Sequence, residues 1–136
     1  MANGKSLYLA NAVINEVYGA AAYSAPATIY VALFTVAPTP AASSGTEVTG
    51  NNYSRVTVTN NTTNFPSVSN AVKTNGIAIT FAQCTPSSWG TVVAWATFDN
   101  STGGNMLHFG DLTPNKTVAA SDVMNFPAGT LTITEG

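Results

Sequence analysis

The spacing of hydrophobic residues changes once along this chain, near residue 20. From Leu7 to Tyr18 the apolar positions Leu7, Ala10, Val13, Ile14, Val17 and Tyr18 recur at steps of three and four. That is the spacing of one helix face. Asn11, Asn15 and Glu16 take other positions, Ser6 is placed to cap the start, and Gly19 is placed to end it. The pattern predicts a helix over about 6–18. A helix this short is marginal alone and must be held by packing. Its apolar side is expected to cover a sheet and close the core, with contact to a neighbouring subunit as the sharper alternative.

Beyond Pro26 the pattern is that of strands and turns. Thr28 to Thr35 is nearly all apolar and rich in β-branched and aromatic residues, as in a strand buried on both faces. Val36 to Gly45, with Pro38 and Pro40, reads as a loop, and Ser54 to Thr59 alternates as a half-buried strand. Asn60 to Asn64 is a polar turn. Within Ala71 to Phe81, Asn75-Gly76 divides two short strand candidates and predicts a type I′ hairpin. Thr85 to Ser88 is a loop. Trp89 to Phe98 is the strongest strand, Asp99 to Asn105 turns it back, and Met106 to Leu112 is its hairpin partner. Thr113 to Lys116 reads as a turn. Val118, Val123, Phe126, Leu131 and Ile133 mark the last strands.

Strand candidates from about 28 to 134, separated by turns, predict one mainly β domain over residues 1–136. The expected architecture is an antiparallel β-sandwich or jelly-roll-like barrel with one N-terminal α-helix. There is no internal repeat and no linker.

Composition narrows the function. Charged residues are only 7% of the chain, while hydrophobic residues are 45% and the net charge is −2. This is a folding composition, not a disordered one. No basic patch is available to neutralise phosphates, so no nucleic-acid partner is expected. No apolar run is long enough to span a membrane, and the polar residues inside the first apolar stretch are unlike a secretory signal. Weak mutual repulsion between such surfaces suits a subunit packed among copies of itself.

Candidate chemistry is sparse. Asp99 and Asp111 end the two strands of the expected hairpin and could approach as a carboxylate pair, but turn formation is the plainer reading. The Asp99 to Asn105 loop offers Asp99, Asn100 and Asn105 as oxygen ligands for calcium, without a bidentate Glu in register. His108 lies inside a strand between Leu107 and Phe109 and is expected to face solvent or a subunit contact. Cys84 reads as a small semi-buried residue. Trp89 and Trp95 share a strand face as core, or as a sugar-stacking platform. No nucleophile elbow or phosphate loop occurs, and neither a catalytic group, a cofactor nor a metal is expected.

A resemblance covers essentially the whole chain. It is carried by the opening Met-Ala-Asn-Gly-Lys-Ser and the helix after it. Further marks are Ala25 to Thr35 with Ala37-Pro38-Thr39, Gly45-Thr46-Glu47-Val48, and Asn52-Tyr53-Ser54-Arg55. Ser88 to Val92, Phe98-Asp99, Gly103 to Leu107 and the closing Val118 to Ile133 complete it. These segments resemble a family of small tailed-bacteriophage virion structural proteins, commonly labelled tail fibre proteins.

The resemblance implies a non-enzymatic component of the phage particle surface, assembled in the host cytoplasm. One domain of this size is too small for a complete fibre, so the leading expectation is a capsid decoration, or cement, protein. It would bind the major capsid protein and copies of itself, as a homotrimer by analogy with other virion spikes and cements. A tail fibre or neck-associated protein contacting tail proteins, with a possible host glycan, is the alternative. Candidate contact residues are Leu7, Tyr8, Asn11 and Tyr18 in the opening segment, with Tyr53, Arg55 and Phe65 near the long loops.

Overall fold

The computed structural model describes residues 4–42 and 44–135. The first three residues of the resemblance and one residue of the 36–45 loop lie outside that range. The elements are β1 (Gly4–Lys5), α1 (Leu7–Val17), β2 (Thr28–Val36), β3 (Thr46–Glu47), β4 (Val56–Thr59), β5 (Val72–Thr74), β6 (Ile79–Thr80), β7 (Gly90–Phe98), β8 (Met106–Val118), β9 (Asn125–Phe126) and β10 (Thr132–Thr134). The fold is mainly β and antiparallel with one helix near its start, as the spacing predicts, and its layers are those of a β-sandwich.

β2 and β7 form the centre of the principal sheet. They pair from Tyr30 opposite Phe98 to Phe34 opposite Ala94. β8 and then β1 extend the sheet beyond β7, while β3 and β4 share the outer edge of β2. Both faces of the centre are covered. On one face Ile29, Val31, Leu33, Val92 and Trp95 pack under the ribbons β5–β10 and β6–β9, with Phe81, Trp89 and Phe126. On the other, Ala32, Phe34, Ala94, Ala96, Phe98, Met106 and Phe109 form a second cluster. Burial on both sides is why these strands read as nearly unbroken apolar runs. Trp89 and Trp95 do share the core face, and at 6% and 3% exposure neither can serve as a sugar platform.

Two turn signals do something other than turn. Asn75-Gly76 does not make a hairpin: β5 pairs with β10 and β6 pairs with β9, so the two segments part company. Gly76 is not in the left-handed region that a type I′ turn demands. Its lack of a side chain serves close approach instead, since a Cβ there would collide with the Thr63 carbonyl. Asn75 is buried, and its amide nitrogen donates to the carbonyls of Ile77 (2.7 Å), Pro127 (3.1 Å) and Phe126 (3.3 Å). Its amide oxygen accepts from Leu131 N–H at 2.9 Å, and its own carbonyl accepts from Gly129 N–H at 2.7 Å. One residue thus ties the end of β5 to the link between β9 and β10.

Thr113 to Lys116 is likewise part of a strand. β8 runs on through it, and Lys116 pairs with Val92. The turn chemistry is absorbed by a bulge, because Ala94 pairs with Asp111 and the residues between Asp111 and Lys116 all face the single residue Val93. Val123, expected in a last strand, is an exposed loop residue, and its neighbour Met124 enters the core in its place.

Replacing Asn75 by Ala leaves the Leu131 N–H and several carbonyls without a buried partner. Each such group costs about 1–3 kcal/mol. Urea unfolding should therefore show Asn75→Ala destabilised by about 3 kcal/mol, while Ser67→Ala on the exposed loop nearby stays close to the parent.

Candidate functional site

Helix α1 begins where the sequence places it. Ser6 is buried and its hydroxyl accepts the Leu9 N–H at 3.1 Å. Main-chain bonds from Ser6 N–H to Leu107 O (2.8 Å) and from Leu7 N–H to Pro40 O (2.7 Å) fix the helix start to β8 and to the loop after β2. Tyr18 closes the far end by donating to Ile14 O, and Glu16 Oε1 accepts the Tyr23 N–H at 2.9 Å, folding the chain back.

The helix does not present its apolar side to the core as expected. Leu9 is its one buried residue, and Val13 packs partly beside it. Burial of that pair is worth on the order of 3 kcal/mol, enough to hold a marginal helix. Leu7, Ile14 and Tyr18 lie more than a third of a turn around the axis from Leu9 and Val17 lies about a quarter of a turn from it, and all four stay exposed, Tyr18 at 80% and Val17 at 65%. The apolar arc is wider than the contact available, because among the described residues the strands that α1 lies against are β1 and β8. Among the described residues nine large hydrophobic side chains are exposed, and Leu7, Tyr8, Ile14, Val17 and Tyr18 are five of them. They form an uncharged patch, with Asn11 exposed beside them.

Next to this face lies a groove. Two adjoining hollows of about 450 and 330 Å³ share Leu9, Lys73, His108 and Ile133, and run between α1 and the β5–β10 ribbon. The floor owes its shape to a second bulge. Ala96 pairs with Phe109 and Phe98 with Met106, so Leu107 and His108 together oppose Thr97. The Thr97 hydroxyl accepts the His108 N–H at 3.1 Å. The extra residue breaks the alternation of side chains, and both Leu107 and His108 line the groove. His108 therefore faces a half-buried hollow and not open solvent.

Two of the four Lys and Arg residues line the same groove. Lys5 is paired with Glu135 at 2.9 Å. Lys73 donates to the carbonyls of Pro66 (2.9 Å) and Phe65 (3.3 Å) and, among the described residues, is bonded to no carboxylate. Burial pushes the His108 imidazole below its ordinary range; Glu135 opposes that shift and Lys5 adds to it.

The remaining candidates are engaged inside the chain. Arg55 grips Glu47 with both ends of its fork, Nε to Oε2 at 2.9 Å and Nη2 to Oε1 at 2.8 Å. Its guanidinium lies 3.8 Å from the centre of the Phe98 ring, and Nη1 donates to the carbonyls of Asn100 (2.8 Å) and Gly103 (2.9 Å). The candidate calcium ligands of that loop are engaged with one another: the Asp99 carboxylate accepts from Asn105, and Asn100 Oδ1 accepts the Ser101 N–H at 2.7 Å. Tyr53 donates to Glu47 Oε2 at 2.7 Å and accepts from Leu33 N–H at 3.0 Å; burial, then this bond to Glu47, raises its pKa far above the ordinary phenol value. Its ring stacks on Phe81 and meets Trp89 edge-on. Phe65 is a core residue that also lines the groove.

Among the described residues no set of reactive groups converges. Asp99 accepts from Asn105 N–H (2.7 Å) and from its side-chain amide (2.9 Å), which is the turn role expected of it. Asp111 pairs with Ala94, five strand positions from Asp99, on the order of 17 Å away. Glycosidase carboxylates sit about 5–9.5 Å apart. Cys84 is fully buried and its thiol donates to Ser87 O. Among the described residues no three His, Cys, Asp or Glu gather to hold a metal ion, and no helix is long and apolar enough to cross a membrane.

The structure is thus a β body whose one helix leaves an apolar face uncovered beside an apolar groove. A family model described as Podophage GP4 fiber I protein gp80 matches residues 4–134, nearly the whole chain, and the chain belongs to that family. It is a structural protein of a tailed-phage virion. No curated protein matches it.

Two expectations follow from the site. Arg55→Lys keeps the charge but loses the fork, the contact with Phe98 and the two loop carbonyls. It should cost about 2 kcal/mol, and amide exchange should speed up in residues 99–105 ahead of the rest of the sheet. For His108, the folded imidazole binds its proton less readily than the unfolded one, whose pKa is about 6.5. Its contribution to stability is whole above about pH 6.5 and is lost as pH falls through that value towards the lower folded pKa. Thermal midpoints measured from about pH 7.5 to 5 should drop for the parent and drop less for His108→Gln.

Proposed function

We propose that this chain is a non-enzymatic fibre subunit of the virion, located at the tail, and that it works through repeated contacts with copies of itself and with neighbouring tail proteins. The observation that carries the proposal is the uncovered apolar face of α1, held by Ser6 and Leu9 against the buried start of β8. An apolar patch of this kind marks a protein–protein contact on a soluble domain. The family description names a podophage fibre, which supports a fibre position over the head position that size alone favours. The scarcity of charge lets copies pack closely with little repulsion.

The capsid decoration reading keeps one point in its favour: a single compact domain needs no shaft or tip to brace a shell by repetition. Gold-labelled antibody against this chain, applied to intact virions, separates the two. Label confined to the tail is the expected result. Label spread over the head overturns the fibre reading and assigns the chain to contacts with the major capsid protein, in which case heads lacking it should burst at lower temperature than complete heads.

A further inference from the structure

Asn75-Gly76 joins two residues that the fold needs for separate reasons. Asn75 is 1% exposed and uses its whole side-chain amide on main-chain groups, donating to the carbonyls of Ile77, Pro127 and Phe126 and accepting from Leu131 N–H. Gly76 is needed because a Cβ there would strike the Thr63 carbonyl. Together they make the dipeptide in which an asparagine is most open to attack by the next main-chain nitrogen, since glycine puts no side chain in the way. The reaction is loss of ammonia. The Gly76 nitrogen gives its proton to a base and bonds to Asn75 Cγ. The Cγ–Nδ2 bond breaks, and the leaving nitrogen takes up a proton and departs as ammonia. Water then opens the cyclic imide at either carbonyl and leaves aspartate or isoaspartate, with no change of oxidation state.

In the folded chain both reacting groups are held. Gly76 N–H donates to Asn64 O at 2.7 Å. Asn64 is fixed in turn by Asn61 Oδ1, which accepts the N–H groups of Thr63 (3.1 Å) and Asn64 (2.8 Å). Gly76 itself stands at the surface, within reach of water and base, so what the fold withholds is movement. Ring closure requires Nδ2 to leave its three carbonyls and the Gly76 nitrogen to leave Asn64. Those bonds tie Asn75 to the link between β9 and β10, and they are released when the β5–β10 and β6–β9 ribbons part. Three and two residue pairs long, these ribbons are of the kind that opens before the central sheet does.

We propose that Asn75-Gly76 is a modification site gated by the two ribbons: closed, they protect the amide, and open, they let it deamidate to a product that cannot close in the same way. A carboxylate at position 75 still accepts from Leu131 N–H, but it has no donor for the carbonyls of Ile77, Phe126 and Pro127 and sets a negative charge among them in a buried place. Isoaspartate also routes the main chain through Cβ and lengthens the connection between β5 and β6. Opening is therefore reversible when brief and one-way when prolonged, so the site sets how long a loosened subunit can regain its fold. This goes beyond the fibre reading and holds wherever on the particle the subunit sits.

The test is peptide mapping by mass spectrometry of the full chain, aged in mildly alkaline buffer with and without guanidinium chloride. The other Asn-Gly of the chain, Asn3-Gly4, supplies the reference rate in denaturant. There Asn75 and Asn3 should convert at rates of the same order. Without denaturant Asn75 should convert at least about a hundredfold more slowly than with it, because modification of an open form tracks its population. Denaturant raised in steps below the unfolding midpoint should raise the rate at Asn75 with the open fraction. When chains aged in denaturant are returned to buffer and separated by size exclusion, conversion at Asn75 should be depleted from the refolded fraction and enriched in the rest. Conversion in native buffer as fast as in denaturant overturns the proposal and means that Leu131 N–H activates the amide instead of the ribbons guarding it. A native rate that ignores denaturant up to the midpoint also overturns it. So does an Asn75 that stays intact in denaturant while Asn3 converts, or a refolded fraction as rich in converted Asn75 as the whole sample.

Discussion

The pairing of β2 with β7 is the constraint on which the rest of the molecule depends. These two strands are apolar on both faces, so each face must be covered by something else in the chain. The ribbons β5–β10 and β6–β9 cover one side. Too short to stand alone, they are held by side chains that bridge them, above all Asn75. Phe34 and Phe98 stack on the other side with the Arg55 guanidinium over the Phe98 ring, and Arg55 in turn holds the Asp99–Asn105 loop and Glu47 of β3. With so few charges in the chain, this buried ion pair is specific in what it fixes: one fork joins β3, the strand edge and the hairpin loop.

The candidate contact surface follows from departures from regularity in the same sheet. A bulge opposite Thr97 turns His108 towards the groove, where strict alternation would turn it away. A longer bulge opposite Val93 lets β8 continue to Val118 and supply the Val118 carbonyl to Trp89 N–H and the Ser88 hydroxyl. Helix α1 is then set against β8 by little more than Leu9 and Val13. Most of its apolar surface remains outside, which leaves the virion subunit with an uncovered face and a groove in one region.

Much of this was legible in the residues. The helix, its Ser6 cap, both central strands and the Asp99–Asn105 turn follow from local spacing and local hydrogen bonding, which act over a few residues. Asn75-Gly76 and Thr113 to Lys116 misled for a shared reason. Their dipeptide chemistry is that of turns, but partners about fifty residues and about twenty residues away, respectively, took up the same groups, and long-range pairing outweighs local preference. The residues expected at contacts divide by where the chain places them. Leu7, Tyr8, Asn11 and Tyr18 lie on an exposed helix, whereas Tyr53, Arg55 and Phe65 are held inside the chain; the short Glu47-to-Arg55 spacing was the one signal of a local ion pair there.

Sequence by itself determined the period of each segment, the scarcity of charge and the resemblance to a tailed-phage virion family, since these are properties of residue order. Tertiary structure decided which side of α1 is buried, which strands cover β2 and β7, and where the cations gather. Those depend on how much apolar arc a neighbour can reach and on where a bulge resets alternation. Both are fixed only when β8, with its extra residues, is laid against β7 and the helix is set down beside it.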